Sequence, residues 1–151
     1  IRVFAGRHPK GISEDQAEKN AMGALEEAGD YAGKRGVFLG IENHDSIGTA
    51  DRLLRIVKAV KSPWVGVNLD TGNFKSDTPY AEMKESAPYA VNVQLKTELK
   101  VGKKTEKADM KRIANIFKEA EYSGYVVLEF EGKENPYEHV PAILEEMNEL
   151  Y

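Results

Sequence analysis

Four side chains with the groups of acid–base and metal chemistry recur at regular intervals: Glu42, Asp70, Gln94 and Glu129. Each follows a short apolar run (Val37–Ile41, Val65–Leu69, Val91–Val93 and Val126–Leu128), about one strand–helix unit from the last. In a parallel α/β sheet the carboxyl ends of the strands share one rim, and active sites lie there. The spacing therefore predicts that three carboxylates and one amide meet at one place. Like charges a few ångströms apart push each other's pKa up, and a divalent cation relieves that repulsion. An all-oxygen set suits Mg²⁺ or Mn²⁺ best, then Co²⁺, with Zn²⁺ as a further candidate. His44 and Asn73 lie just past two of the acids, and Lys96 lies two residues beyond Gln94 on the same face. These three are candidate substrate contacts. Glu131 shares a strand face with Glu129 and competes with it. His8 and His139 read as ordinary surface residues.

The elements that would position these residues follow from apolar periodicity. Ile1–Ala5 reads as a strand closing on Gly6. Ser13 with Gln16 forms a capping-box pattern that opens a helix with Ala17, Ala21, Leu25, Ala28 and Ala32 on one face. Val37–Ile41 is the next strand, and Thr49 is placed to cap a helix carrying Leu53, Leu54, Ile56, Val57 and Val60. Pro63 stops that helix before the strand Trp64–Leu69. Thr78-Pro79 opens a short helix that Pro88 bars from continuing. After the strand Val91–Leu95, a stretch containing Lys96, Lys100, Lys103, Lys104 and Lys107 reads as a solvated surface loop. A helix through Met110, Ile113, Ile116, Phe117 and Ala120 should end at Gly124 in a left-handed cap. The strand Tyr125–Phe130 and a helix from Asn135-Pro136 complete the chain. That last helix should turn Val140, Ile143, Leu144, Met147 and Leu150 inward, with Pro141 as a point of kinking.

The order is βα repeated five times over 1–151, a single domain. Strands read as apolar on both faces, alternating with amphipathic helices, indicate a parallel sheet covered by helices. A full (β/α)₈ barrel takes about 250 residues, so five units make at most five-eighths of one. No glycine-rich phosphate loop follows any strand, which lowers the nucleotide-binding reading of an open sheet.

Composition narrows the classes. The chain has 151 residues, 41% hydrophobic and 30% charged, with a formal net charge of −4. That is too apolar and too weakly charged for a disordered chain. No apolar run reaches the ~20 residues of a membrane span, and no basic face invites nucleic acid. There is no Cys, which removes disulfides, thiolate zinc sites and a cysteine nucleophile. The expectation is a soluble, cytoplasmic domain. The tripeptide Asp70-Thr71-Gly72 also occurs in aspartic proteases, but those are all-β and pair two such aspartates.

Taken together, Ile41-Glu42-Asn43-His44, Leu69-Asp70-Thr71-Gly72-Asn73, Val93-Gln94-Leu95-Lys96 and Gly124-Tyr125…Leu128-Glu129 resemble the xylose isomerase-like TIM barrels. That family includes sugar phosphate isomerases/epimerases, ketose 3-epimerases and hydroxypyruvate isomerase. The resemblance implies that Glu42, Asp70 and Glu129 are metal ligands. Gln94 stands where the family usually has His in a His-x-Lys pattern and is expected as a fourth metal ligand through its carbonyl oxygen, and Asn73 stands where many members have His. It further implies a metal-dependent isomerase or epimerase acting on a sugar, sugar phosphate or keto acid through a cis-enediolate. Glu42 and Glu129 would be the catalytic base/acid pair, and His44, Asn73 and Lys96 would bind substrate.

A dehydratase of the same fold is an alternative, because loss of a β-hydroxyl also begins with a metal-assisted enolate. An inactive truncated binding module is another. The endonuclease IV-like site draws on many histidines, and this chain has 3. The family's first two strands and its eighth have no counterpart here, and the chain opens on Ile1, so a truncated N-terminus is expected. With two sheet edges open, and an inner face expected to be apolar, association as a two-fold homodimer is expected as well.

Overall fold

A computed structural model of the protein describes residues 1–7 and 10–151; the surface placement expected for His8 falls outside them. Five strands form one parallel sheet: β1 (Arg2–Val3), β2 (Leu39–Glu42), β3 (Val65–Asp70), β4 (Ala90–Leu95) and β7 (Val126–Leu128). Their spatial order is β1-β2-β3-β4-β7, with every neighbouring pair parallel. Helices α1 (Glu14–Gly33), α2 (Ala50–Ala59), α3 (Pro79–Ser86), α4 (Met110–Glu119) and α5 (Pro136–Leu150) join and follow the strands. This is the partial (β/α)₈ barrel architecture of five units. No helix among the described residues is long and apolar enough to cross a membrane.

The sheet is not apolar on both faces, as the strand sequences suggested. Ile41, Val67, Leu69, Val93 and Leu95 are essentially buried and form one core with Leu53, Ile56, Met83, Ile113 and Phe117 of the helices. Alternate positions face the other way. There the register sets Gly40 beside Gly66, Glu42 beside Asn68, Asn68 beside Asn92, and Asp70 beside Gln94. At the centre the inner face is thus glycine, amide and carboxylate, with Val91 packed over Gly40 and Gly66, and the outer strands add the half-exposed Phe4 and Val127. Its glycines answer a packing need. The β3–β4 register shifts beyond Val67, and a Cβ on Gly66 would lie 2.5 Å from Val91 Cγ1 and 2.8 Å from the Tyr89 carbonyl oxygen.

Several local expectations change in detail. Ser13 Oγ does accept from the Gln16 backbone N–H at 3.2 Å, but the Gln16 side chain turns to Asn20, so only half of the capping box forms. Thr49 makes no side-chain cap; the first-turn N–H of Ala50 donates instead to Glu82 Oε1 at 3.1 Å, across to α3. After α4 the left-handed residue is Glu121 (φ +54), not Gly124, because Tyr122 N–H returns to the Phe117 carbonyl and closes the helix earlier. Helix α5 runs unbroken through Pro141, and it buries only Met147 fully; Leu144 is exposed.

The lysine-rich stretch after β4 is an antiparallel hairpin, β5 (Glu98–Val101) with β6 (Lys104–Lys107), rather than a loop. Gly102 at φ +62 permits its two-residue turn. Leu99 is buried against the core, and Gly102 N–H donates to the Ser76 carbonyl at 3.0 Å, so the lysines face solvent on an anchored ribbon.

Candidate functional site

The carboxyl ends of β2, β3 and β4 bring Glu42, Asp70 and Gln94 to one rim: Asp70 lies beside Gln94, and Glu42 lies beside Asn68, two residues before Asp70 on the same strand face. Glu42 and Asp70 keep only 2% and 1% of their surface exposed. Their backbones are locked together by Asn43. Its side chain donates to the Asp70 carbonyl at 2.7 Å and accepts from the Asp70 N–H at 2.8 Å. Thr71, also buried, receives the Lys96 N–H on Oγ1 at 2.9 Å and ties β4 to the same rim.

Two carboxylate oxygens converge on one atom. Asn73 Nδ2 lies 3.0 Å from Glu42 Oε1 and 2.9 Å from Asp70 Oδ2. Lys96 Nζ is 3.2 Å from Asp70 Oδ2, 3.3 Å from Asn73 Oδ1 and 2.8 Å from Glu131 Oε2. Glu131 is therefore an ion-pair partner of Lys96, whereas Glu129 accepts from Gln94 Nε2 at 2.5 Å. The two acids that competed in the sequence take different partners. Arg2, on the edge strand, reaches Glu42 Oε2 at 3.3 Å.

Burial pushes the Asp70 carboxyl up to about 7; Lys96 and the Gly72 N–H pull it back, and the charge of Glu129 adds to the rise. Burial likewise raises Glu42, against the pull of Arg2 and His44 and with a push from Glu129. For Lys96, burial alone would lower the pKa, but the bond to Glu131 and the charges of Asp70 and Glu129 outweigh it and hold the ammonium form. The carboxylates thus feel one another, and the cations present do not fully compensate them.

His44 lies near enough to act on the charge of Glu42, but its ring is turned to Phe4 and Asp45. Its ring packs edge-on against Phe4, with centroids 5.2 Å apart, and its Nδ1 is 3.3 Å from Asp45 Oδ2. His139 is exposed. A cavity of about 220 Å³ adjoins the rim, lined by Asn73, Lys96, Glu129 and Glu131 and roofed by Lys100 and Thr105 of the hairpin.

Among the described residues no three acidic or histidine side chains are drawn tightly enough around one point to cage an ion. The nearest approach is the Glu42–Asp70 pair, whose oxygens share the Asn73 amide. These hard donors fit a divalent cation in place of that N–H group. Sequence reading missed Arg2, Asn43, Thr71, Asn68 and Asn92. Asn68 was visible as a polar residue between Val67 and Leu69, on the strand face of Asp70, and that alternation was the available signal.

The family model for the xylose isomerase-like TIM barrel matches residues 1–149. The chain belongs to that family. No curated protein sequence matches it. A xylose isomerase domain protein from Planctomyces limnophilus superposes with a TM-score of 0.74 at 20% identity, covering 99% of this chain and 57% of that one. The 3-keto-D-glucoside 4-epimerase of E. coli gives 0.72 at 15% identity, over 91% of this chain and 56% of the epimerase. A xylose isomerase-like TIM barrel protein from Mycobacterium smegmatis, solved in complex with magnesium, gives 0.72 at 21% identity, over 95% and 54%. At these identities the likeness is one of fold. The chain spans a little over half the length of each of these barrels.

Proposed function

We propose that the protein acts on a sugar or keto-sugar as a metal-dependent isomerase or epimerase, moving a proton beside a carbonyl through a cis-enediolate. The observation that carries this reading is the convergence of two buried, incompletely compensated carboxylates, Glu42 and Asp70, on one point at the rim of the sheet. Membership of the family and the epimerase and magnesium-complex likenesses support it.

Glu42, Asp70 and Glu129 would hold one divalent ion, Mg²⁺, Mn²⁺ or Co²⁺. Gln94 would have to turn its amide over to join them, because its oxygen faces Asn68. When bound, the ion supplies Lewis-acid polarisation of the substrate carbonyl and neighbouring hydroxyl. Glu42 ends β2, and Glu129 follows β7, with β3 and β4 between them. A substrate lying across the rim then has a carboxylate toward each face, one to remove the proton and one to return it. Burial raises the Glu42 pKa above the ordinary carboxylate value, the direction that favours a group able to hold a proton. Lys96, kept as an ammonium, offsets enediolate charge, and Asn73 and His44 hold substrate hydroxyls.

The test is solvent isotope exchange. With Mn²⁺ or Mg²⁺ and a panel of ketohexoses in D₂O, deuterium should enter at C1 for an isomerase or at C3 for an epimerase. Glu129→Gln should stop it. Release of water from the sugar, with deuterium appearing in a dehydrated keto product rather than in an isomeric or epimeric sugar, would replace this reading by the dehydratase.

A further inference from the structure

Beneath the rim, the inner face of the sheet carries a relay of three side-chain amides. Asn92 Nδ2 donates to Asn68 Oδ1 at 2.7 Å. Asn68 Nδ2 donates to Gln94 Oε1 and, at 3.5 Å, to Glu42 Oε2. Gln94 Nε2 then donates to Glu129 Oε2 at 2.5 Å. Asn68 and Gln94 are 3% and 9% exposed, so water cannot readily replace these bonds.

The polarity of this relay is dictated by its ends. An ionised carboxylate accepts hydrogen bonds and donates none. Glu129 therefore requires the NH₂ group of Gln94, which leaves the Gln94 oxygen turned back into the sheet. That oxygen needs a donor, and Asn68 provides one. Asn68 has two N–H bonds on Nδ2, and the second points to Glu42. Asn92 follows suit by donating to the Asn68 oxygen, since its own oxygen turned that way would meet another acceptor.

We infer that Asn68 is a positioning residue that sets both proposed acid/base carboxylates, Glu42 directly and Glu129 through Gln94, and that Gln94 serves the site as a donor through nitrogen rather than as a ligand through oxygen. This rests on the reading of Glu42 and Glu129 given above, but it concerns hydrogen bonds that exist without metal or substrate. Its consequence is that one buried amide links the two ends of the rim across β3 and β4. Turning Asn68 over reverses Gln94 and leaves Glu129 facing an oxygen.

The test uses the full chain without metal or substrate, so its failure is separable from a failure of isotope exchange. In ¹⁵N-labelled protein the Gln94 side-chain amide is assigned by its loss in Gln94→Leu. Its protons should exchange with water at least about tenfold more slowly than exposed side-chain amides. Asn92→Ala, a mild change at a half-buried site, should speed that exchange. Asn68→Asp should lower Tm, and adding Glu129→Gln should recover more than half of the loss, because a glutamine can donate to the reversed Gln94. Asp70→Asn in the same background removes an equal charge off the relay and should recover less. Fast exchange of the Gln94 amide in the wild type would overturn the inference. So would an unchanged rate in Asn92→Ala, or equal recovery by Glu129→Gln and Asp70→Asn, which would reduce the effect to charge.

Discussion

The central strands and the last strand–helix unit hold the two halves of the proposed site under different conditions. At β2–β4 the inner residues are buried, cross-linked by Asn43, Asn68, Asn73 and Thr71, and backed by residues of near-zero exposure such as Val67, Leu69 and Phe117. At β7–α5 the strand has three residues, Val127 is 49% exposed, and the helix buries only Met147. Glu42 and Asp70 thus sit on a rigid platform, and Glu129 hangs on a thinner one, tied to it by Gln94. The difference teaches where precision comes from: the carboxylate on the weak edge borrows its position from the strong centre.

The largest effect should fall on chemistry at the centre. Asp70→Ala should abolish divalent-ion binding and isotope exchange, a loss on the order of 10²-fold or more, while leaving far-UV circular dichroism unchanged. Wild-type exchange in that variant would move the site away from β2–β4. In stability, Leu69→Ala should cost about 2–5 kcal/mol in urea unfolding, as a cavity in a fully buried position. Gly66→Ala should cost about 1–3 kcal/mol, because its new Cβ meets Val91 and a backbone oxygen. A neutral result there would mean that the inner face is looser than its register implies.

The pH response tests the same platform. The folded state holds the Asp70 proton up to about pH 7, whereas the ordinary carboxyl value is 3.8. Between those values the folded chain binds more protons than the unfolded one, so metal-free stability should fall as pH rises from about 4 through 7. Asp70→Asn should flatten that slope, and a metal-free Tm that rises over the window would contradict the assignment. The smallest effect belongs to the edge: Leu144→Ala should change stability by less than about 0.5 kcal/mol, since the side chain is 43% exposed. A loss comparable to Leu69→Ala would erase the contrast between the two regions.

How much of this was legible follows from the same contrast. The five-unit order and the shared rim are written in apolar runs ending in Glu42, Asp70, Gln94 and Glu129, and the fold matches that order. The amphipathic faces of α2 and α4 are equally plain. What escaped was the alternation inside the strands. Leu-Gly-Ile-Glu and Val-Gly-Val-Asn-Leu-Asp look continuously apolar when glycine is counted with the core, yet every second residue lies on the inner, polar face. The expected apolar inner sheet holds only in part, at Phe4, Val91 and Val127, with polar groups at the centre. The open edges β1 and β7 and this smaller apolar area are the two arguments for a covering partner. The hairpin after β4 escaped because four lysines mask one anchoring residue, Leu99. Cross-strand bonds such as Asn73 to Glu42 depend on register, which no single strand sequence specifies.

The most direct measurement of the central claim is calorimetric titration of the chain with Mn²⁺ and Mg²⁺. The molecule supplies its own control: Glu18 is a buried carboxylate away from the rim, held by Arg52 at 3.3 Å and Arg55 at 3.5 Å. One ion per chain, lost in Asp70→Ala and retained in Glu18→Gln, is the predicted result. An ion that survives Asp70→Ala, or none bound by the wild type, would contradict it.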